Sequence, residues 1–206
     1  AKINPFAALG VGALAAFATI SAGAYKMARE FEQSMKEVET ISEAAQKDFK
    51  GISSKIFNIS KESIDSPKQL ASAYYQVVSA GYDGAEGLEL LKIASKAAVA
   101  GVTDTTTAVD GLTTILNSYK LDSQDTEKVS DALFNTVRLG KTTFSELASS
   151  ISQVAPIASA SKIPLNEILS AIASLTKQGV PTSQAMTQIR SAIVGINEAG
   201  KLDGTK

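Results

Sequence analysis

Polar positions are missing from the first part of this chain and then return with helical regularity. No charged residue lies between Lys2 and Lys26, and the run Pro5–Tyr25 alone is about 21 residues, long enough to cross a bilayer as a helix. Gly10, Gly12, Ala15, Ala16, Ala18 and Gly23 make the run rich in small residues, which permit close helix–helix approach. Its bulky members are Phe6, Leu9, Leu14 and Phe17. An apolar helix must be buried somewhere, and these four side chains are the candidates for membrane insertion or packing between subunits. Beyond Lys26 the pattern becomes amphipathic. Phe31, Met35, Val38 and Ala45, with Ser42 between them, follow a 4-3-4-3 spacing suited to a coiled-coil seam. Phe31, Met35 and Val38 are therefore the candidates for self-association.

From there the chain reads as short helices. Ile52, Ile56 and Ile59 form one stripe. Ser66-Pro67 opens the next helix as N-cap and first residue, with Leu70, Tyr74, Val77 and Val78 inward and Gly81 as its stop. Leu88, Leu91, Ala94 and Ala98 lead to a stop at Gly101. Thr103 or Thr105 caps a helix that buries Val109, Leu112, Ile115, Leu116 and Tyr119. Asp122 opens another, through Val129, Leu133 and Val137 to Gly140. Thr143 and Glu146 form a capping box before Leu147, Ile151 and Val154, and Pro156 kinks or ends that helix. Ile163-Pro164 opens the next, which carries Ile168, Leu169, Ile172 and Leu175 to Gly179, and Pro181–Ile196 forms a last one around Ala185, Met186, Ile189 and Ile193. No strand is predicted. The expected fold is all-α: a long apolar-to-amphipathic helix over residues 1–47, then a compact series of short helices over 48–206.

Gly101, Gly140 and Gly179 are each 39 residues apart, and each is followed within four positions by Thr. That spacing resembles a helix-pair repeat, although helices of ordinary length also give such spacings by chance.

Composition narrows the chemistry. There is no His and no Cys, which removes His bases, Cys nucleophiles, Ser-His-Asp triads, Cys/His zinc sites and disulfides. No cofactor or metal is expected. A formal net charge of -1 provides no field for general nucleic-acid binding. Carboxylate-only glycosidase chemistry needs two acids facing across a cleft; Glu146 is more simply a capping acid, and Glu167 lies in a helix's first turn, where the dipole explains it. No catalytic residue is assigned, and the chain is read as a non-enzyme. It starts at Ala1 without a Met and ends at Gly204-Thr205-Lys206, so a piece of a longer protein is expected.

Several phrases occur in an order that resembles the core segment of phage tail tape measure proteins. They are Ala28-Arg29-Glu30-Phe31-Glu32-Gln33-Ser34-Met35 after the apolar run, Ser66-Pro67 through Tyr74, and Val78-Ser79-Ala80-Gly81-Tyr82. Ala94 through Gly101, the Thr-rich start from Thr103 to Leu112, Phe144-Ser145-Glu146-Leu147 and Val154-Ala155-Pro156-Ile157-Ala158 follow. Ile168 to Gly179 and Ser183 to Ile193 complete a resemblance over roughly residues 28–196. Tyr74-Tyr75 departs from it, since smaller or Met side chains are more usual there. The resemblance implies a virion protein of the tail tube lumen or tail tip, which sets tail length, assists tail assembly and helps deliver the genome on ejection. It also implies a homo-oligomer, trimer or hexamer, with tail tube protein, tail tip or baseplate hub proteins and tail assembly chaperones as partners, and contact with the host envelope after ejection. A membrane-inserting or pore-forming helical protein unrelated to phage tails is the alternative that the apolar run itself suggests.

Overall fold

The computed structural model describes residues 24–203, with side chains to residue 200. Among them are eleven α-helices, two 3-10 turns and no strand. Helix α1 covers residues 24–39. It is followed by α2 (Glu43–Lys47), α3 (Phe49–Ser60), α4 (Pro67–Ser79), α5 (Gly84–Gly101) and α6 (Thr105–Tyr119). After these come α7 (Thr126–Leu139), α8 (Phe144–Ser150), α9 (Ala155–Ala160), α10 (Leu165–Lys177) and α11 (Thr182–Asp203).

The helices stack as pairs in two layers. In the first layer α4 packs on α6, α6 on α8 and α9, and these two on α11. In the second, α3 packs on α5, α5 on α7, and α7 on α10. Helix α1 joins the first layer, where Glu30 pairs with Lys68 at the start of α4. First-layer helices begin at residues 67, 105, 144 and 182, a period of 38 or 39. The spacing seen in the sequence is thus the period of a helix-pair stack, in which each pair buries its apolar stripe on its neighbours. One continuous core results, reaching from Met35 and Val38 through Leu70, Leu91, Leu112 and Leu133 to Ile172 and Ile193. Each Leu or Ile fully withdrawn from water contributes about 1.5–3 kcal/mol.

Local chemistry places most of the boundaries. Ser66 accepts a hydrogen bond from the Gln69 N–H while the Gln69 side chain accepts from the Ser66 N–H, and Pro67 fills the first helical position. Thr143 and Glu146 make the same reciprocal box for α8. Ile151–Gln153 tightens to a 3-10 turn ahead of Pro156, which sits in the first turn of α9. This is where a ring without an N–H is tolerated.

Other expectations are corrected. The stripe from Phe31 to Ala45 does not lie on one helix: α1 ends at residue 39 and Ser42 caps α2. Asp104, not Thr103 or Thr105, caps α6 by accepting from the Thr107 N–H. The stops at Gly101 and Gly140 are also of another kind. Gly81 and Gly179 have φ of +101° and +96° and end their helices in the left-handed conformation that glycine favours. Gly101 is still helical, and Val102 takes the left-handed position after it, at φ +52°. Gly140 is extended, with φ -102° and ψ -173°. At both, glycine serves close packing. A Cβ on residue 101 would lie 2.7 Å from the Phe144 Cβ, and one on residue 140 would lie 3.0 Å from the Ala173 Cα.

Candidate interaction edges

The stack has two long edges. At one, the first layer turns into the second; at the other, the second layer returns to the first. Both are laced by side chains that reach across one period, so a short polar residue in one connection meets its counterpart in the next.

The first edge is a polar ladder. Asn117 donates from Nδ2 to the Ala80 carbonyl at 3.0 Å and accepts from the Tyr82 hydroxyl at 3.0 Å. Ser159 donates to the Ser118 carbonyl, and Asn197 donates to Ser161 Oγ at 2.7 Å. Its most connected member is Asp83, the N-cap of α5. Asp83 Oδ1 accepts from the Gly84 N–H (2.7 Å), Ser42 Oγ (2.7 Å) and the Tyr74 hydroxyl (3.1 Å), while Oδ2 accepts from the Ala44 N–H (3.0 Å). One carboxylate thereby holds the α1–α2 junction against α4 and α5. Burial alone would push the Asp83 carboxyl up, but donors at Ala44, Ser42, Gly84 and Tyr74 together hold it below its ordinary value. Tyr74 is fully buried, and burial followed by the facing Asp83 charge pushes its phenol well above the usual tyrosine value. The departure at Tyr74 is therefore a matched pair: the ring fills the core and the hydroxyl serves the cap.

The second edge has its own rungs. Asp65 accepts from the Thr105 N–H at 2.7 Å, Thr103 donates to Ser145 Oγ at 3.3 Å, and the hydroxyls of Thr142 and Thr182 lie 2.7 Å apart. Thr182 also donates to Glu146 Oε2 at 3.0 Å, the same oxygen that accepts from the Thr143 N–H. Glu146 is thus engaged as a cap and an inter-repeat tie. This edge carries apolar side chains as well. Val102, 88% exposed, stands at the mouth of a cleft of about 460 Å³ lined by Phe134, Val137 and Phe144. A β-branched residue at positive φ is strained, typically by about 1–3 kcal/mol.

Of the residues singled out for self-association, Met35 and Val38 are fully buried in the chain's own core, and Phe31 is half-buried against it. The Phe31 ring lies 6.2 Å from that of Phe57. Phe6, Leu9, Leu14 and Phe17 lie outside the described residues. No described helix is long and apolar enough to cross a membrane. Sequence reasoning missed Asp83 and Asp104, although each is an Asp directly before a helical run, the ordinary N-cap signal. It had no signal for Val102, whose left-handed backbone no valine predicts.

The family model for the phage-related minor tail protein matches residues 53–205. The chain belongs to the phage-related minor tail protein family. A "probable tape measure protein" of Clostridium phage phiCD119 is 28% identical over 93% of this chain and 21% of its own length. The "tape measure protein" of Pneumococcus phage Dp-1 is 23% identical over 88% of this chain and 16% of its own. No solved structure matches. The chain thus spans about a fifth of these relatives' length, and it is a tape measure segment of a phage tail, hence of the virion. Within this minor tail protein the matched region covers most of α3 and every later helix.

Proposed function

We propose that this segment is a compact folded module of a tape measure protein, helping to set tail length and to assemble the tail inside the tube. The observation that carries the reading is the folding back of a tape measure segment into two stacked layers. A shaft converts chain into length at about 1.5 Å per residue, so 206 residues as one helix would span about 310 Å. The longest described helix has 22 residues, or about 33 Å. The segment therefore adds little length for its size, and its work is contact with other proteins rather than extension. Its partners are further copies of itself, as a trimer or hexamer, the tail tube protein, tail tip or baseplate hub proteins and tail assembly chaperones. On ejection it assists genome delivery and meets the host envelope.

Electron microscopy of tails from phage carrying in-frame deletions in the parent gene tests this. Deletions outside the segment should shorten tails by about 1.5 Å per residue, and deletion of the whole segment should block or misdirect assembly. Intact tails shortened by about 310 Å on that second deletion would show that the segment is shaft and overturn the proposal.

A further inference from the structure

The exposed large apolar side chains are not scattered over the stack. Among the described residues nine such side chains stand out in solvent, and seven of them lie on the edge where the second layer returns to the first. Val99 and Val102 stand at the end of α5, and Leu139 is the last residue of α7. Ile64 occupies the α3–α4 connection, one period before Val102. Phe57 lies in the last turn of α3, and Tyr25 and Met27 in the first described turns of α1. The hydrogen bonds from Asp65 to Thr105, from Thr103 to Ser145 and between Thr142 and Thr182 fix these connections side by side. The Lys68–Glu30 pair places the start of α1 on the same edge. Only Ile41 and Ile196 of the nine lie on the opposite edge.

We propose that this edge is the docking surface for the chain's own apolar N-terminal run, with Phe6, Leu9, Leu14 and Phe17 covering Ile64, Val102 and the cleft beside Phe144. The length of that run and the place where it joins the body make it the occupant. It holds no charge between Lys2 and Lys26, so it gains by leaving water. It enters at residue 24, on the apolar edge rather than the polar one. Neighbouring helices pack about 8–10 Å apart, so the path from α1 past α4 and α6 to α8 is roughly 25–30 Å. Twenty-three residues reach about 34 Å even when fully helical. Val102 is then kept in a strained backbone where its side chain is of use. The inference stands whether or not the module reading holds.

The chain has no Cys, so Val102→Cys carries a benzophenone maleimide at one position only. Without Lys or Arg between Lys2 and Lys26, trypsin releases the run as the single peptide Ile3–Lys26. After irradiation of the full chain, adducts on that peptide should exceed those from Ile196→Cys by at least about tenfold, as expected for a tethered, docked segment. Adding Ser in place of Phe6, Leu9, Leu14 and Phe17 should bring the yield down to the Ile196→Cys level with the helical circular dichroism unchanged. A mixture of isotope-labelled and unlabelled chains should give adducts within one chain. Adducts joining two chains would assign the edge to a second copy, and equal yields from both probes would mean no docking. A run taken up by vesicles of phosphatidylglycerol, with the Val102→Cys adduct absent in their absence too, would assign it to lipid. Each of these three outcomes overturns the proposal.

Discussion

The two edges of the stack use the same period for different ends. On the polar edge, Asn117, Ser159, Asn197 and above all Asp83 spend their side chains on the backbone or hydroxyls of the neighbouring connection. On the apolar edge the rungs of Asp65, Thr103 and Thr142 do the same, but Ile64, Val102 and Leu139 stand outward between them. One edge is closed by polar contacts within the chain, while the other adds a hydrophobic surface with no cover among the described residues. Repeat stacking therefore does not by itself make a surface inert. What the connections carry decides which side remains open to a further contact.

The contrast breaks first at Asp83. Asp83→Ala removes a helix cap and leaves the buried Tyr74 hydroxyl without its acceptor, which should cost about 2–4 kcal/mol in urea unfolding. If Asp83 matters as a carboxylate, the effect has a pH signature. Its folded-state pKa lies below the ordinary value, so its contribution is complete above about pH 4 and fades as pH falls through the lower folded value. Tyr74 works in the opposite sense. Its folded pKa is raised, so its contribution is complete below about pH 10 and declines as pH rises beyond. Asp83→Ala should flatten the acid limb of the stability profile, and Tyr74→Phe the alkaline limb.

The apolar edge gives a pair of adjacent substitutions with opposite signs. Gly101→Ala drives a Cβ to within 2.7 Å of the Phe144 Cβ and 2.8 Å of its Cγ, atoms near the backbone that cannot swing away. A loss of about 1–3 kcal/mol is expected, despite the better helix propensity of Ala. With Ser in place of Phe6, Leu9, Leu14 and Phe17, Val102→Gly relieves a left-handed valine and should raise stability by roughly 0.5–1 kcal/mol in the same unfolding assay. That second effect is the smallest and the most informative. In the unsubstituted chain the gain should be smaller or reversed, because the same change removes the Val102 contact with the docked run; an equal gain in both backgrounds would mean that nothing covers Val102.

Much of the fold could be read from residue order. Ser66-Pro67, Thr143 with Glu146 and Ile163-Pro164 mark helix starts because they satisfy or dispense with backbone N–H groups locally. Spacing every three or four residues named the inward faces of α4, α6 and α10. The 39-residue interval of three glycines also arises by chance, and only the stacked helices starting at residues 67, 105, 144 and 182 give it meaning. The stripe from Phe31 to Ala45 is where spacing and structure part. Its 4-3-4-3 pattern crosses a turn at Thr40-Ile41, where Ser42 stops the helix and turns toward Asp83. That bond joins residues 41 apart in the chain, beyond the reach of any local rule.

The sequence by itself determined the helical class, the caps at Ser66 and Thr143, the apolar faces and the family, because each depends on neighbours within a turn or on phrases in fixed order. Only the tertiary structure decided that Met35 and Val38 face the chain's own core, and that Gly101 yields space to Phe144 while Val102 takes the left-handed turn. It also decided that the exposed apolar residues gather on one edge. The reason is geometric: stacking at a period of 38 or 39 residues brings distant connections side by side, and spacing within one helix cannot say which of them will meet.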